Sequence, residues 1–202
     1  MSEASKKAAV FICNGASGHA KEERAEDDFY ASEPAAAEWL LRLEPQLSNI
    51  WEPAVGNGSL AEVFRKEGKL GAISDLYDRG YHPEGIQQAY GKDFLQLNKV
   101  WKGDIVTNPP YCKGFDWAKH QLDCIQDGRY SALFMKITFL EGKERRKFFN
   151  EFPPIRVWVS SSRLVCARYG DFENYGKTKA TCYCWFIWQK GYKGSSEIKW
   201  FN

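Results

Sequence analysis

GDIVTNPPY, residues 103–111, reads as a short buried strand running into two consecutive prolines. Its apolar, β-branched run suits a pleated surface, and proline ends the ladder because it has no N–H to donate. Such a strand delivers Asn108, Pro109, Pro110 and Tyr111 to its carboxyl end, where ligands bind in open α/β sheets. A residue before proline is driven out of the helical region, so Asn108 and Pro109 are both held extended. The corner is stiff and rich in acceptors. An exocyclic amine on an aromatic ring is a poor nucleophile, because its lone pair is delocalised. Two carbonyls, the Asn108 side chain and the Pro109 main chain, suit its two protons and would return electron density to nitrogen. Tyr111 offers a flat face for a planar base, worth about 1–3 kcal/mol. The plainer reading is a proline-stiffened turn with a half-buried tyrosine.

Neighbouring segments weigh against the plainer reading. Ile50 and Trp51 end a strand that runs into Glu52, Pro53, Ala54, Val55, Gly56, Asn57 and Gly58. Ser59 and Glu62 then have capping-box spacing and open a helix toward Gly68. Strand, glycine turn and helix is the geometry with which doubly wound sheets hold phosphates or nucleosides. Gly56 and Gly58 let the backbone approach a ligand where a Cβ would collide. The next strand, residues 70–73, leads to Asp75, placed to accept from both hydroxyls of a ribose. A shorter strand near Tyr90 leads to Asp93, suited to an adenine amine, and Phe94, suited to covering the ring. One G-x-G is weak; the ordered set is far more specific.

The totals narrow the field. A net charge of +2 over 202 residues excludes a polybasic coat, so any nucleic-acid affinity must come from a local patch. Aromatics are 15% of the chain, including 8 Trp and 10 Tyr, enough for stacking surfaces as well as a core. The 6 cysteines show no CxxC spacing and no histidine partners at zinc-site separations, so they read as reduced thiols and no metal is expected. Cys182 and Cys184 would share a strand face, a weak case for a metal pair. There is no membrane-length apolar run and no signal-peptide core, which places the protein in the cytoplasm as an expectation. His19, His82 and His120 have no part in the chemistry outlined above.

Residues 1–28 read as a partly mobile arm around a short strand at 9–13, and 29–202 as one domain. Ser32 is placed to cap a helix over 33–44, with Glu33 and Pro34 in its first turn. After Tyr111 come an amphipathic helix, a strand at 130–137, a basic helix around KERRKFFNEF and a strand from 155. A polar loop over 160–178 carries Arg163 and Arg168, and the strands TCYCWFIWQK and EIKW close the chain. Alternating β and α elements predict a mainly parallel sheet with helices on both faces. The close spacing of the last strands predicts an antiparallel C-terminal hairpin.

Taken together, these motifs resemble the S-adenosylmethionine-dependent N6-adenine DNA methyltransferases, in the compact form found in phages and prophages. The resemblance covers nearly the whole chain. Phe29 and Tyr30 with Pro34 are similar to the family's N-terminal cofactor segment, and Glu52 to Gly58, including Pro53, to its first motif. Asp75 matches its ribose-binding acid, Asp93 with Phe94 its adenine contact, and Asn108 to Tyr111 its catalytic tetrapeptide. KITFLEGKERRKFF, the SSSR run and CYCWFIW also look like the phage subgroup.

The resemblance implies a Rossmann-like methyltransferase fold with a seven-stranded sheet, S-adenosyl-L-methionine as cofactor and DNA as partner. It also implies in-line methyl transfer to an adenine rotated out of its stack. Val55 stands where the first motif often has cysteine. No segment is long enough for a separate target-recognition domain, so short or relaxed sequence selectivity is expected. Arg145, Arg146, Arg163 and Arg168 are candidates for phosphate contact, with solvated surface charge as the plain alternative.

RNA adenine and a protein glutamine side chain are rival substrates, although glutamine-modifying relatives usually carry an N-terminal helical domain. A catalytically silent nucleoside-binding module is the rival of a different class, and its damaged tetrapeptide is not found here. A dinucleotide oxidoreductase would want a third glycine where Ala61 stands.

Overall fold

A computed structural model describes residues 28–175 and 181–202. The expected arm, apart from Asp28, lies outside the described residues, as do the strand at 9–13 and His19. The strands are β1 (Tyr30–Ser32), β2 (Ile50–Glu52), β3 (Leu70–Asp75), β4 (Gln87–Tyr90) and β5 (Ile105–Thr107), followed by β6 (Tyr130–Lys136), β7 (Arg156–Ser160), β8 (Cys166–Arg168), β9 (Tyr183–Gln189) and β10 (Glu197–Phe201). The α-helices are α1 (Pro34–Leu43), α2 (Ala61–Lys66), α3 (Gly114–Asp123), α4 (Lys143–Glu151) and α5 (Phe172–Tyr175).

Eight strands form one sheet in the order β10-β7-β9-β6-β5-β2-β3-β4, and β1 pairs with β8 in a separate antiparallel ribbon. From β6 to β4 every pairing is parallel. β9 runs antiparallel between β6 and β7. β10 does not fold back on β9 but passes beyond β7 and pairs with it in parallel, so the sheet has eight strands instead of seven. The antiparallel hairpin pattern of the C-terminal part is therefore made by β7 and β9.

The period of two divides the core between the two faces of the sheet. Val106 and Trp185 face Ala36, Leu40 and Phe64 of α1 and α2. Ile105 and Phe186, one residue along, face Trp117, Leu122 and Phe148 of α3 and α4. β9 is buried on both faces along nearly its whole length, which explains its run of aromatic and aliphatic residues. Its fully buried Phe186 and Ile187 each stabilise the fold by about 1.5–3 kcal/mol. The Trp185 indole N–H finds the Ala36 carbonyl at 2.9 Å, so its burial leaves no unpaired donor. The aromatic strand is core.

At the amino end of the sheet, buried Asp104 accepts from the backbone N–H of Ser48 (2.8 Å) and Tyr130 (2.9 Å), with Arg129 at 3.5 Å. One carboxylate thus joins the starts of three strands.

Two expected caps are not formed. Ser32 ends β1 with its hydroxyl 3.6 Å from the Cys166 sulfur, and α1 begins at Pro34 after an extended Glu33. Pairing with β8 takes Ser32 away from the helix. The Ser59 hydroxyl donates to Asn57 (2.7 Å), while Glu62 takes Arg65 through two bonds (2.8 and 2.7 Å) and the Tyr81 hydroxyl (3.0 Å). Arg65 and Tyr81 hold the Glu62 carboxyl down at about 2, Arg65 contributing most.

Candidate active site

The chain passes from β2 outward through β3 to β4, then returns to place β5 on the other side of β2. That reversal opens a crevice above the carboxyl ends of β2 and β5. Glu52 stands at one lip and Asn108 at the other. A cleft of about 380 Å³ lies there, within the range of about 300–1,000 Å³ usual for small-ligand sites.

The cleft collects residues that the sequence keeps far apart. Phe29, Tyr30, Glu52, Pro53, Gly56, Asp75, Asp93, Phe94, Asn108, Pro109, Pro110 and Tyr111 all line it. Pro34 and Gly58 do not; they border a separate groove between α1 and α2. Pro34 starts α1, and Gly58 has φ +83° with the Tyr81 ring where a Cβ would stand, at 2.3 Å. Neither is brought to the cleft wall, contrary to the expectation that they meet the cofactor. The four candidate arginines also lie outside its lining. Arg145 bends back to the Glu141 carbonyl and over the Phe139 ring, Arg146 and Arg163 are exposed, and Arg168 sits opposite Tyr30 in the β1–β8 ribbon.

Asn108 is oriented by a hydrogen bond from its side-chain Nδ2 to the Tyr30 carbonyl, 2.8 Å. With the amide nitrogen so engaged, its Oδ1 is left buried and without a partner among the described residues. Buried polar atoms are nearly always paired, so an orphan acceptor at a cleft is a waiting contact. Tyr111 is half-buried, with its hydroxyl donating to the Cys166 sulfur at 3.1 Å and its ring 6.1 Å from Tyr30 and 6.0 Å from Tyr183. Burial, aided by Cys166, pushes the Tyr111 phenol well up, so it stays protonated and serves as a fixed ring.

On the other lip Glu52 is buried, with Oε2 unpaired among the described residues. Burial first, and Asp75 second, drive its carboxyl well above the ordinary 4.5. Asp75 holds the glycine turn in place: its Oδ2 accepts from the Gly56 N–H at 2.8 Å and its Oδ1 from the Tyr77 N–H at 3.0 Å. Gly56 has φ +56°, and a Cβ there would meet the Phe29 ring at 2.6 Å. Asp93 caps a short 3-10 turn through the Leu95 N–H (3.0 Å). Phe94 is wedged between Trp51 (5.4 Å) and Trp117 (4.5 Å).

Three contributors were not legible beforehand. Asp28 accepts from the Cys112 N–H at 3.0 Å and joins the first described residue to the proline corner. Cys166 anchors Tyr111, and the Arg79 guanidinium lies 4.2 Å over the Phe29 ring at the cleft wall. All three act through strand pairing or loop proximity, for which a single sequence carries no local signal. His120 is a boundary residue, its Nε2 3.1 Å from the Leu97 carbonyl.

The architecture is shared with solved structures. A type I restriction-modification methyltransferase subunit from Streptococcus thermophilus aligns with TM-score 0.60 and 13% identity over 85% of this chain and 46% of its own. The fold is that of the methyltransferases. A putative class I S-adenosylmethionine-dependent methyltransferase from Listeria monocytogenes aligns at 0.57 and 11% identity, over 98% of this chain and 71% of its own. A putative RNA methyltransferase from Pyrococcus horikoshii aligns at 0.58 and 12%, over 93% and 98%. The chain thus spans about half the length of the Streptococcus subunit. No family model and no curated protein matches the sequence. Among the described residues no helix is long and apolar enough to cross a membrane.

Proposed function

We propose that the chain is an S-adenosylmethionine-dependent methyltransferase that modifies N6 of adenine in DNA. The observation that carries this reading is the buried, unpartnered Oδ1 of Asn108, aimed by the Nδ2 contact to Tyr30 and followed by two prolines. An acceptor so fixed is matched to an amine proton. The methyltransferase fold and the names of its structural neighbours support the methyl-transfer part of this reading.

The cleft fits the cofactor chemically. The buried Glu52 Oε2, without a partner among the described residues, suits a positive group, and the cofactor's methionyl end carries an ammonium and a sulfonium. Asp75 at the end of β3 keeps lone pairs for ribose hydroxyls, and the Gly56 turn brings main chain against the ligand. Asp93 and Phe94 line the part of the wall suited to an adenine ring. S-adenosylmethionine supplies an already activated methyl group.

The protein then has to position and polarise. Tyr111 stacks on a base turned out of its helix, held by Cys166 so that its ring cannot swing. Asn108 Oδ1 and the Pro109 carbonyl accept the two amine protons, which localises the lone pair on nitrogen. Positioning and fixed dipoles of this kind carry most of the rate enhancement where no covalent step is needed. Arg146 and Arg163, exposed to solvent, serve the phosphates, and selectivity for sequence is short or relaxed.

The deciding experiment measures labelled methyl transfer from S-adenosylmethionine to duplex DNA, single-stranded DNA, RNA and protein, followed by nucleoside analysis for N6-methyladenine. N6-methyladenine appearing in DNA above all other arms is the expected result. Transfer confined to RNA or to glutamine reassigns the substrate, and cofactor binding without transfer to any of them leaves a nucleoside-binding module.

A further inference from the structure

The main sheet has an open edge. β10 pairs with β7 on one side and with no strand among the described residues on the other. The Glu197 N–H donates to the Ile155 carbonyl (3.2 Å) and the Phe201 carbonyl accepts from the Ser161 N–H (3.0 Å). Residues 197, 199 and 201 therefore turn their main-chain groups toward β7. By the strand period of two, the N–H and C=O groups of Ile198 and Trp200 point outward, away from the sheet.

The side chains on this edge are unusual for one facing water. Ile198 and Trp200 stand in register with Val157 and Val159 and continue their apolar face past the reach of α4. They are 51% and 66% exposed, and Trp200 is the most exposed large hydrophobic residue among those described. A lysine on an edge strand normally deters pairing. Here Lys199 is matched by Glu197 on the same face, 2.8 Å away. The deterrent is neutralised.

We propose that β10 pairs antiparallel with β10 of a second copy of this chain, about a two-fold axis through Ile198. Register follows from charge. An axis through Glu197 or Lys199 would set like charges directly opposite, which is destabilising. An axis through Trp200 would set Lys199 opposite the second copy's Phe201, with no opposite charge facing it. The axis through Ile198 sets Glu197 opposite the second copy's Lys199 and, by symmetry, repeats the pair. It also sets Ile198 against the second copy's Ile198, and brings each Trp200 to the diagonal position where a large ring reaches the facing isoleucine. The outward main-chain groups of Ile198 and Trp200 then all find partners, and one sheet runs through both copies.

Sedimentation equilibrium of the full chain tests this, with circular dichroism to verify folding. Wild type is expected to be a concentration-dependent dimer. Glu197→Lys and Lys199→Glu each replace two attractive cross-strand pairs by repulsive ones and weaken self-association by about tenfold. Mixed together, the two variants form a heterodimer, because the lysines of one then face the glutamates of the other. Independently of any variant, amide exchange at Ile198 and Trp200 slows as wild-type concentration rises. A monomeric wild type overturns the proposal; so does a dimer indifferent to both substitutions, or a mixture that fails to restore association.

Discussion

Asn108 Oδ1 and Glu52 Oε2 are two buried polar atoms of the cleft without a partner among the described residues. Asn108→Ala is expected to lower the methyl-transfer rate by about 10²–10³, the usual cost of losing one fixed polar contact to the reacting group. Cofactor affinity, read by calorimetry, should stay within a few-fold if, as proposed, Asn108 meets the acceptor amine and not the cofactor. Loss of cofactor binding along with activity would place the residue differently. Glu52 leads to a pH prediction. Its folded-state pKa lies above the ordinary 4.5, so its favourable contribution is complete below that value and is lost as pH rises toward the folded pKa. Glu52→Gln removes the proton linkage. The melting temperature of the ligand-free variant should therefore exceed that of wild type by a margin that widens from acid to neutral pH. The same variant should bind S-adenosylmethionine more weakly.

Between elements, the most exacting contact joins α1 to β7. Glu44, fully buried just past the end of α1, takes the Arg156 guanidinium through two hydrogen bonds, one of them at 2.6 Å, as well as the Trp158 indole (2.7 Å) and the Gln46 amide (2.6 Å). Burial works to raise its pKa, but these donors together, Arg156 foremost, bring the carboxyl below the ordinary 4.5. A depressed folded pKa stabilises above the unfolded value and is lost as pH falls through the folded one, so this contact fails on acidification. Glu44→Ala should cost about 3–5 kcal/mol in denaturant unfolding, since it leaves Arg156 and Trp158 without their acceptor. Gly58 tests the glycine turn. Its φ of +83° and the Tyr81 ring 2.3 Å from a notional Cβ mean that Gly58→Ala should destabilise the fold by about 1–3 kcal/mol. The variant should also loosen the start of α2, measurable by amide exchange. Capping shows where local pattern misleads at this scale: Ser59 and Glu62 have the right spacing, yet a bidentate Arg65 and the Tyr81 hydroxyl, brought in from another loop, outcompete the helix N-terminus for Glu62.

At the scale of the molecule, a net charge of +2 from 28 basic and 26 acidic residues means that any nucleic-acid affinity would have to come from a local patch. If Arg146 and Arg163 each meet a phosphate of duplex DNA, replacing either by alanine should weaken binding equally for all sequences. Each replacement should also reduce the slope of log affinity against log salt by about 0.9. Fluorescence anisotropy over a salt series reads this directly, and an unchanged slope would assign both arginines to ordinary solvated surface.

The sheet alternation, the proline corner and the glycine turn were legible in the chain because each rests on short-range physics: side-chain period, the missing proline N–H and the freedom of glycine at positive φ. The sequence alone thus determined an α/β fold and the order of the segments that line its cleft. It could not reveal the Tyr30 carbonyl that aims Asn108, the Cys166 thiol that steadies Tyr111, or the passage of β10 to the far side of β7. Those were decided by the tertiary structure, through strand pairings that join residues distant along the chain. Such pairings depend on which edges remain open once the core has closed, and no local pattern of residues encodes that.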